Sequence, residues 1–173
     1  MKTNLIIYGF ALTLLVLACK KEKQEEDPAL AKGLTDESLY QTIKSSTDYT
    51  FYKDDNSIKA SSKATAHGPW FRVRFNKIAA AALTDNGKLP VGSTFPEGSI
   101  VVKELYETQQ GGLKYIAVMQ KASKNENQNA TWVWGEYEAD GKVYNGIGTK
   151  GSACVGCHSS GDRDKVRLFE LFP

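Results

Sequence analysis

The residues best equipped for chemistry lie near the C-terminus: Cys154-Val155-Gly156-Cys157-His158, two thiols three positions apart with a histidine directly after the second. This CxxCH spacing suits covalent attachment of a c-type haem. Each thiol adds to one vinyl group of the macrocycle, and the adjoining imidazole lies under the iron as its axial ligand. Gly151, Ser152 and Ala153 before the motif, and Val155-Gly156 within it, are small enough to let backbone approach a flat ring closely.

Three other uses of a Cys-x-x-Cys pair compete. A disulfide would close a very short loop and add little stability. A thioredoxin-like redox pair has no need of the adjacent histidine, and the flanks suggest no βαβ unit. A zinc site wants four ligands, yet the only other histidine in the chain is His67. One covalent haem c, with Cys154 and Cys157 on the ring and His158 on the iron, is the reading these residues favour.

The third cysteine, Cys19, follows a short apolar run from Leu5 to Ala18 that begins after Lys2. A cationic start and a run shorter than the roughly 20 residues of a spanning helix make a secretory signal. Val16-Leu17-Ala18-Cys19 resembles the lipobox of bacterial lipoproteins, so cleavage would leave Cys19 acylated. An uncleaved anchor or a signal cut elsewhere are the alternatives, and both still export the domain. Residues 1–18 are thus expected to be a leader, and 19–34 an acylated cysteine with a polar, mixed-charge tether. Residues 35–173 are expected to form one haem domain, anchored to a membrane and facing the periplasm or the cell surface. Export also fits the cysteines, because free thiols in an oxidising compartment tend to be paired or occupied.

Composition adds exclusions. At 173 residues, 41% hydrophobic and 24% charged with net charge +2, the chain has the make-up of an ordinary globular protein, and no basic stripe points to nucleic acid.

The elements that must position the motif read as more β than α. Thr35-Asp36-Glu37 with Leu39, Tyr40 and Ile43 predicts a capped amphipathic helix. Residues 53–66 are polar and read as a loop before the alternating strand Phe71-Arg72-Val73-Arg74-Phe75. Asn76 is placed to cap a short helix over 78–83, ended by Asp85-Asn86-Gly87. Strands are predicted over 100–106 and 113–119 around Gln109-Gln110-Gly111-Gly112, and over 130–137 before the turn Ala139-Asp140-Gly141-Lys142. Apolar residues on both faces of these strands imply a sheet covered on both sides, with the tail 166–172 packing back onto it. The fold class expected is α+β: a β-rich antiparallel sheet, short flanking helices and a C-terminal haem-binding segment.

The order His67-Gly68-Pro69-Trp70, Phe95-Pro96-Glu97-Gly98, Val102-Lys103-Glu104, Val118-Met119, Trp132-Val133-Trp134 and then Cys154 to His158 resembles the cytochrome P-460 family, which includes the gas-binding cytochromes c′-beta. The likeness covers roughly residues 35 to 173. It implies a proximal histidine from the CxxCH segment and a distal face open to small ligands. Catalytic members oxidise hydroxylamine with a haem cross-linked to a lysine, which Lys103 matches; c′-beta members bind nitric oxide or carbon monoxide at an apolar distal face. By the same resemblance Phe95 is a candidate distal cap, with core packing as its alternative.

On residue type alone Lys103 is a strand lysine in solvent. Glu104 is a candidate pocket acid, although alternation puts it on the opposite strand face from Lys103. Arg72 and Arg74 are candidates for haem propionates or for solvent. An electron-transfer cytochrome would instead need a second axial ligand, for which His67 and Met119 are the candidates, and a redox partner protein. The charge run Asp162-Arg163-Asp164-Lys165 reads as a solvated turn.

Overall fold

The computed structural model describes residues 33–45, 47–61, 67–122 and 132–171. The expected leader, Cys19 and most of the tether lie outside the described residues, as does Phe172. Among the described residues no helix is long and apolar enough to cross a membrane.

Among the described residues seven strands form one antiparallel sheet: β1 (Tyr49–Phe51), β2 (Lys59–Ala60), β3 (Trp70–Asn76), β4 (Ile100–Thr108), β5 (Gly111–Lys121), β6 (Trp132–Glu138) and β7 (Val143–Asn145). The order is β1-β3-β4-β5-β6-β7, with β2 beside β1 on the same edge of β3. The polar stretch expected as a loop over 53–66 therefore contains a strand. Lys59 and Ala60 pair with Phe71 and Trp70, giving partners to backbone groups that the edge of β3 would otherwise leave open.

Strand alternation sorts the side chains into two cores. On one face Phe71, Val73, Phe75, Val101, Leu105, Met119, Trp132 and Trp134 pack with Phe95 and the C-terminal Val166, Leu168 and Phe169. On the other, Val102, Ile116, Val118, Val133 and Tyr137 cover Leu39, Tyr40 and Ile43 of helix α1 (Asp36–Ser45). Both faces of β4 and β6 are thus covered along most of their length, which is why apolar residues occur on both faces of these strands, whereas β3 keeps its alternation and puts Arg72 and Arg74 on the second face.

The caps are those the sequence requires. Thr35 Oγ1 accepts from the Ser38 amide at 3.1 Å, and Asp36 and Glu37 sit where the positive end of the helix dipole favours acids. Asn76 opens α2 (Lys77–Ala81), its side chain accepting from the Ala79 amide at 2.9 Å. Two further single-turn helices, α3 (Val155–His158) and α4 (Leu168–Leu171), lie in the C-terminal segment. Phe169 of α4 stacks on Phe75, ring centres 6.2 Å apart and nearly parallel, so the tail does return to the sheet.

Candidate functional site

The CxxCH residues form one turn of helix. The amides of Cys154 and Val155 bond to the Gly151 carbonyl at 2.7 and 2.9 Å, and that of His158 bonds to the Cys154 carbonyl at 3.1 Å. Cys154 is half-buried against the first core, and Cys157 is exposed; both are free thiols. Burial first, then the charge of Glu136, raises the Cys154 thiol above its ordinary pKa. Arg167 donates to the Cys157 carbonyl at 2.9 Å, tying the end of the turn to the chain beyond it.

His158 points inward from this turn. Its Nδ1 donates to the backbone carbonyl of Lys165 at 2.8 Å, because a carbonyl can only accept. That assignment leaves Nε2 as the nitrogen with a free lone pair, the tautomer a metal-binding imidazole needs. The Trp134 ring meets His158 edge-on, centres 5.0 Å apart. Trp134 in turn lies against Gly151, where an added Cβ would fall 2.4 Å from the indole and where φ is +70°. Gly151 thus answers two demands that no other residue meets together, a left-handed backbone and contact with a ring.

The opposing wall comes from β4, β6 and the segment entering β3. His67 lies edge-on to His158, centres 6.3 Å apart, with its Nδ1 4.0 Å from Glu136 Oε1. Asn145 donates to the other oxygen of Glu136 at 3.0 Å. Burial, then the charges of Lys103 and His158, pulls the pKa of His67 down to about 4, so it is neutral at pH 7. Lys103 leaves β4 on this same face. Its ammonium lies 4.6 Å from the centre of the Phe71 ring, no carboxylate accepts it among the described residues, and burial lowers its pKa to about 8. The solvent-facing lysine expected from residue type is therefore a half-buried one, because β4 is an inner strand covered on both faces.

The candidates on the opposite strand face go elsewhere, and Phe95 and Met119 sit in the core on the motif's side of the sheet. Glu104 faces α1, where it accepts from Arg72 Nε, from Arg74 Nε at 2.9 Å and from the Tyr106 hydroxyl at 2.7 Å. Arg74 also donates to the Ile43 carbonyl at 2.7 Å. Both arginines meet Glu104 rather than the CxxCH turn, Arg74 buried and Arg72 partly exposed; the β3–β4 register sets Arg72 directly opposite that acid. Phe95 is 2% exposed in the core, parallel to Phe75 and edge-on to Trp132. Met119 is buried opposite Trp134, packed as core.

Sequence reasoning missed the Lys165 carbonyl, since a backbone group leaves no side-chain signal, and it missed Trp134 as the ring under His158. It also misjudged Asp164. Rather than sitting in a solvated turn, Asp164 forms a buried ion pair with Lys121 at 2.7 Å, both side chains under 10% exposed.

A haem would suit these residues on three counts. The thiols are one turn apart beside an imidazole whose tautomer is already set. Gly156, between the two cysteines, leaves the backbone bare, with nothing within 4 Å of a Cβ placed there. Two buried polar atoms on the site's walls, His67 Nδ1 and Trp134 Nε1, have no hydrogen-bond partner among the described residues, so polar groups on an incoming ligand would find partners there, the indole as a donor. By contrast, among the described residues no three His, Cys, Asp or Glu side chains gather to hold a bare metal ion.

An antiparallel sheet bearing such a motif on one face belongs to the β-rich cytochromes rather than the small helical ones. The family model Cytochrome P460 matches residues 49–167, a span that contains all seven strands and the CxxCH turn. The chain belongs to the cytochrome P460 family, and with membership comes a haem cofactor. A search of curated proteins found no match.

Proposed function

We propose that this chain is an exported, lipid-anchored cytochrome with one covalent haem c, which takes a small nitrogen species, nitric oxide or hydroxylamine, at its iron. The observation that carries the proposal is the pairing of a set proximal imidazole, His158, with a half-buried Lys103 on the same sheet face. Cys154 and Cys157 would hold the ring and His158 the iron. When bound, the haem would supply a site for a diatomic or amine ligand and a route for its electrons.

The protein's own residues set the conditions. Trp134 and the first core exclude water from beneath the imidazole. Lys103, with its pKa near neutrality, can hold or release a proton at Nζ close to the site. In the neutral form its lone pair is nucleophilic, which is the property a lysine cross-link to the ring would use. His67 is a neutral imidazole on the wall of the site, its Nδ1 4.0 Å from Glu136, which Asn145 holds by a hydrogen bond. Carbon monoxide is a useful probe of the same site.

The electron-transfer reading rests on one observation, the 6.3 Å between the His67 and His158 rings, which keeps His67 available as a second ligand. Spectra of the matured protein in oxidised, reduced and nitric-oxide-treated forms separate the two. A high-spin spectrum that changes on adding nitric oxide supports ligand binding. A low-spin spectrum in both redox states that ignores the ligand and is lost in His67→Ala would replace it with electron transfer.

A further inference from the structure

We propose that Asp164 is a positioning residue for the iron ligand: by pinning a strained two-residue turn, it aims the Lys165 carbonyl at His158 Nδ1 and so sets how strongly that imidazole donates to iron. The inference rests on the reading above in which His158 holds a haem.

Asp164 and Lys165 both occupy the left-handed region, with φ of 52° and 67°. For non-glycine residues such conformations are strained, and two in succession persist only when their surroundings hold them. The Asp164 side chain, 6% exposed, does this with partners from three distant parts of the chain. Lys121 Nζ donates to both carboxylate oxygens, at 2.9 and 2.7 Å. The Phe95 amide donates to Oδ2 at 2.8 Å. Trp132 Nε1 donates to the Asp164 backbone carbonyl at 3.0 Å and reaches Oδ1 at 3.3 Å.

The residues on either side are tied as well. The Gly92 amide bonds to the Asp162 carbonyl at 2.7 Å, and Arg163 bonds to Asp85 at 2.9 Å and to the Leu89 carbonyl. One peptide further on, the Lys165 carbonyl meets His158. A hydrogen bond at Nδ1 fixes the tautomer and raises the basicity of Nε2. A more basic imidazole favours ferric iron and strengthens the iron–histidine bond. The turn therefore links strands β5 and β6 to the electronic character of the ligand.

The test compares three matured proteins: the native chain, Asp164→Ala, and Asp164→Asn combined with Lys121→Met. The double variant keeps an acceptor oxygen and a residue tolerant of left-handed backbone, and it leaves no unpaired buried charge. Resonance Raman of the ferrous form reads the iron–histidine stretch, and redox titration reads the midpoint potential. The expected result is a lower stretching frequency and a higher potential in Asp164→Ala, with the double variant returning toward the native values. If Asp164→Ala is less stable but has the native stretch and potential, its role is structural only and the inference fails. Should Asp164→Ala not fold, Trp132→Phe, which removes the indole bond, is expected to shift both readouts in the same direction by less; native values there would overturn the proposal. A native protein with no covalent haem would instead remove the reading beneath it, and the inference with it.

Discussion

Lys103 and Glu104 are consecutive in β4 and serve opposite faces of the sheet: the lysine lies over Phe71 on the side of His158, whereas the glutamate is enclosed by Arg72, Arg74 and Tyr106 on the side of α1. One covalent step thus separates a residue on the face that carries the CxxCH turn from one committed to holding the fold.

Glu104→Gln should test the second role. Removing one partner of a buried charged network leaves the arginines uncompensated and costs about 3 kcal/mol. Urea denaturation should show that loss while ligand-induced spectral changes remain native, since the carboxylate faces away from the motif. A loss of ligand binding with stability unchanged would contradict the assignment.

The same acid predicts a pH dependence. Burial opposes ionisation of Glu104, but the Tyr106 hydroxyl and then Arg72 and Arg74 outweigh it, and the net pKa is lowered. A carboxyl with a depressed folded pKa contributes stability that is present above its unfolded value and lost as pH falls through the folded one. Native stability should therefore decline below about pH 4.5 more steeply than that of Glu104→Gln, measured as the urea midpoint against pH.

Lys103 works in the other direction. Its folded pKa of about 8 lies below the ordinary lysine value of 10.5, so the cost of burying its charge is present below pH 8 and relieved as pH rises toward 10.5. Lys103→Met should stabilise the protein at pH 7 by roughly 1 kcal/mol, after allowance for partial exposure, and the gain should shrink by pH 10. If the variant is less stable at pH 7, the ammonium has a favourable partner and the picture of a poised lysine fails.

Gly151→Ala should be among the more damaging small substitutions. It combines a left-handed backbone with a Cβ 2.4 Å from the Trp134 ring, and together these cost about 2 to 4 kcal/mol. A fall in melting temperature together with a lower haem content is the expected outcome; a native melting temperature would show that Trp134 gives way freely.

How much of this was legible beforehand depends on whether the signal was local. Alternation in Phe71 to Phe75 and in the strands around Gln109-Gln110 is a local property, and it located β3, β4 and β5 and placed Lys103 and Glu104 on opposite faces. Spacing made the CxxCH segment visible as well. What stayed hidden depends on register between segments far apart in sequence. Arg72 finds Glu104 across 32 residues, and Asp164 finds Lys121 across 43. Asp162 to Lys165 looks like a solvated charge run because nothing nearby reveals the buried lysine that neutralises it. β2 was missed for a related reason: two polar-flanked residues become a strand only because the edge of β3 lies beside them.

Everything proposed for this protein depends on Cys154, Cys157 and His158 together holding one haem. The most direct measurement is the intact mass of the full chain produced alongside a cytochrome c maturation system, compared with a Cys154→Ser, Cys157→Ser double variant. A gain of one haem mass in the native protein, resistant to acid–acetone extraction, and no covalent gain in the variant are the expected results. A native protein that carries no haem, or carries it equally in the variant, would contradict that assignment.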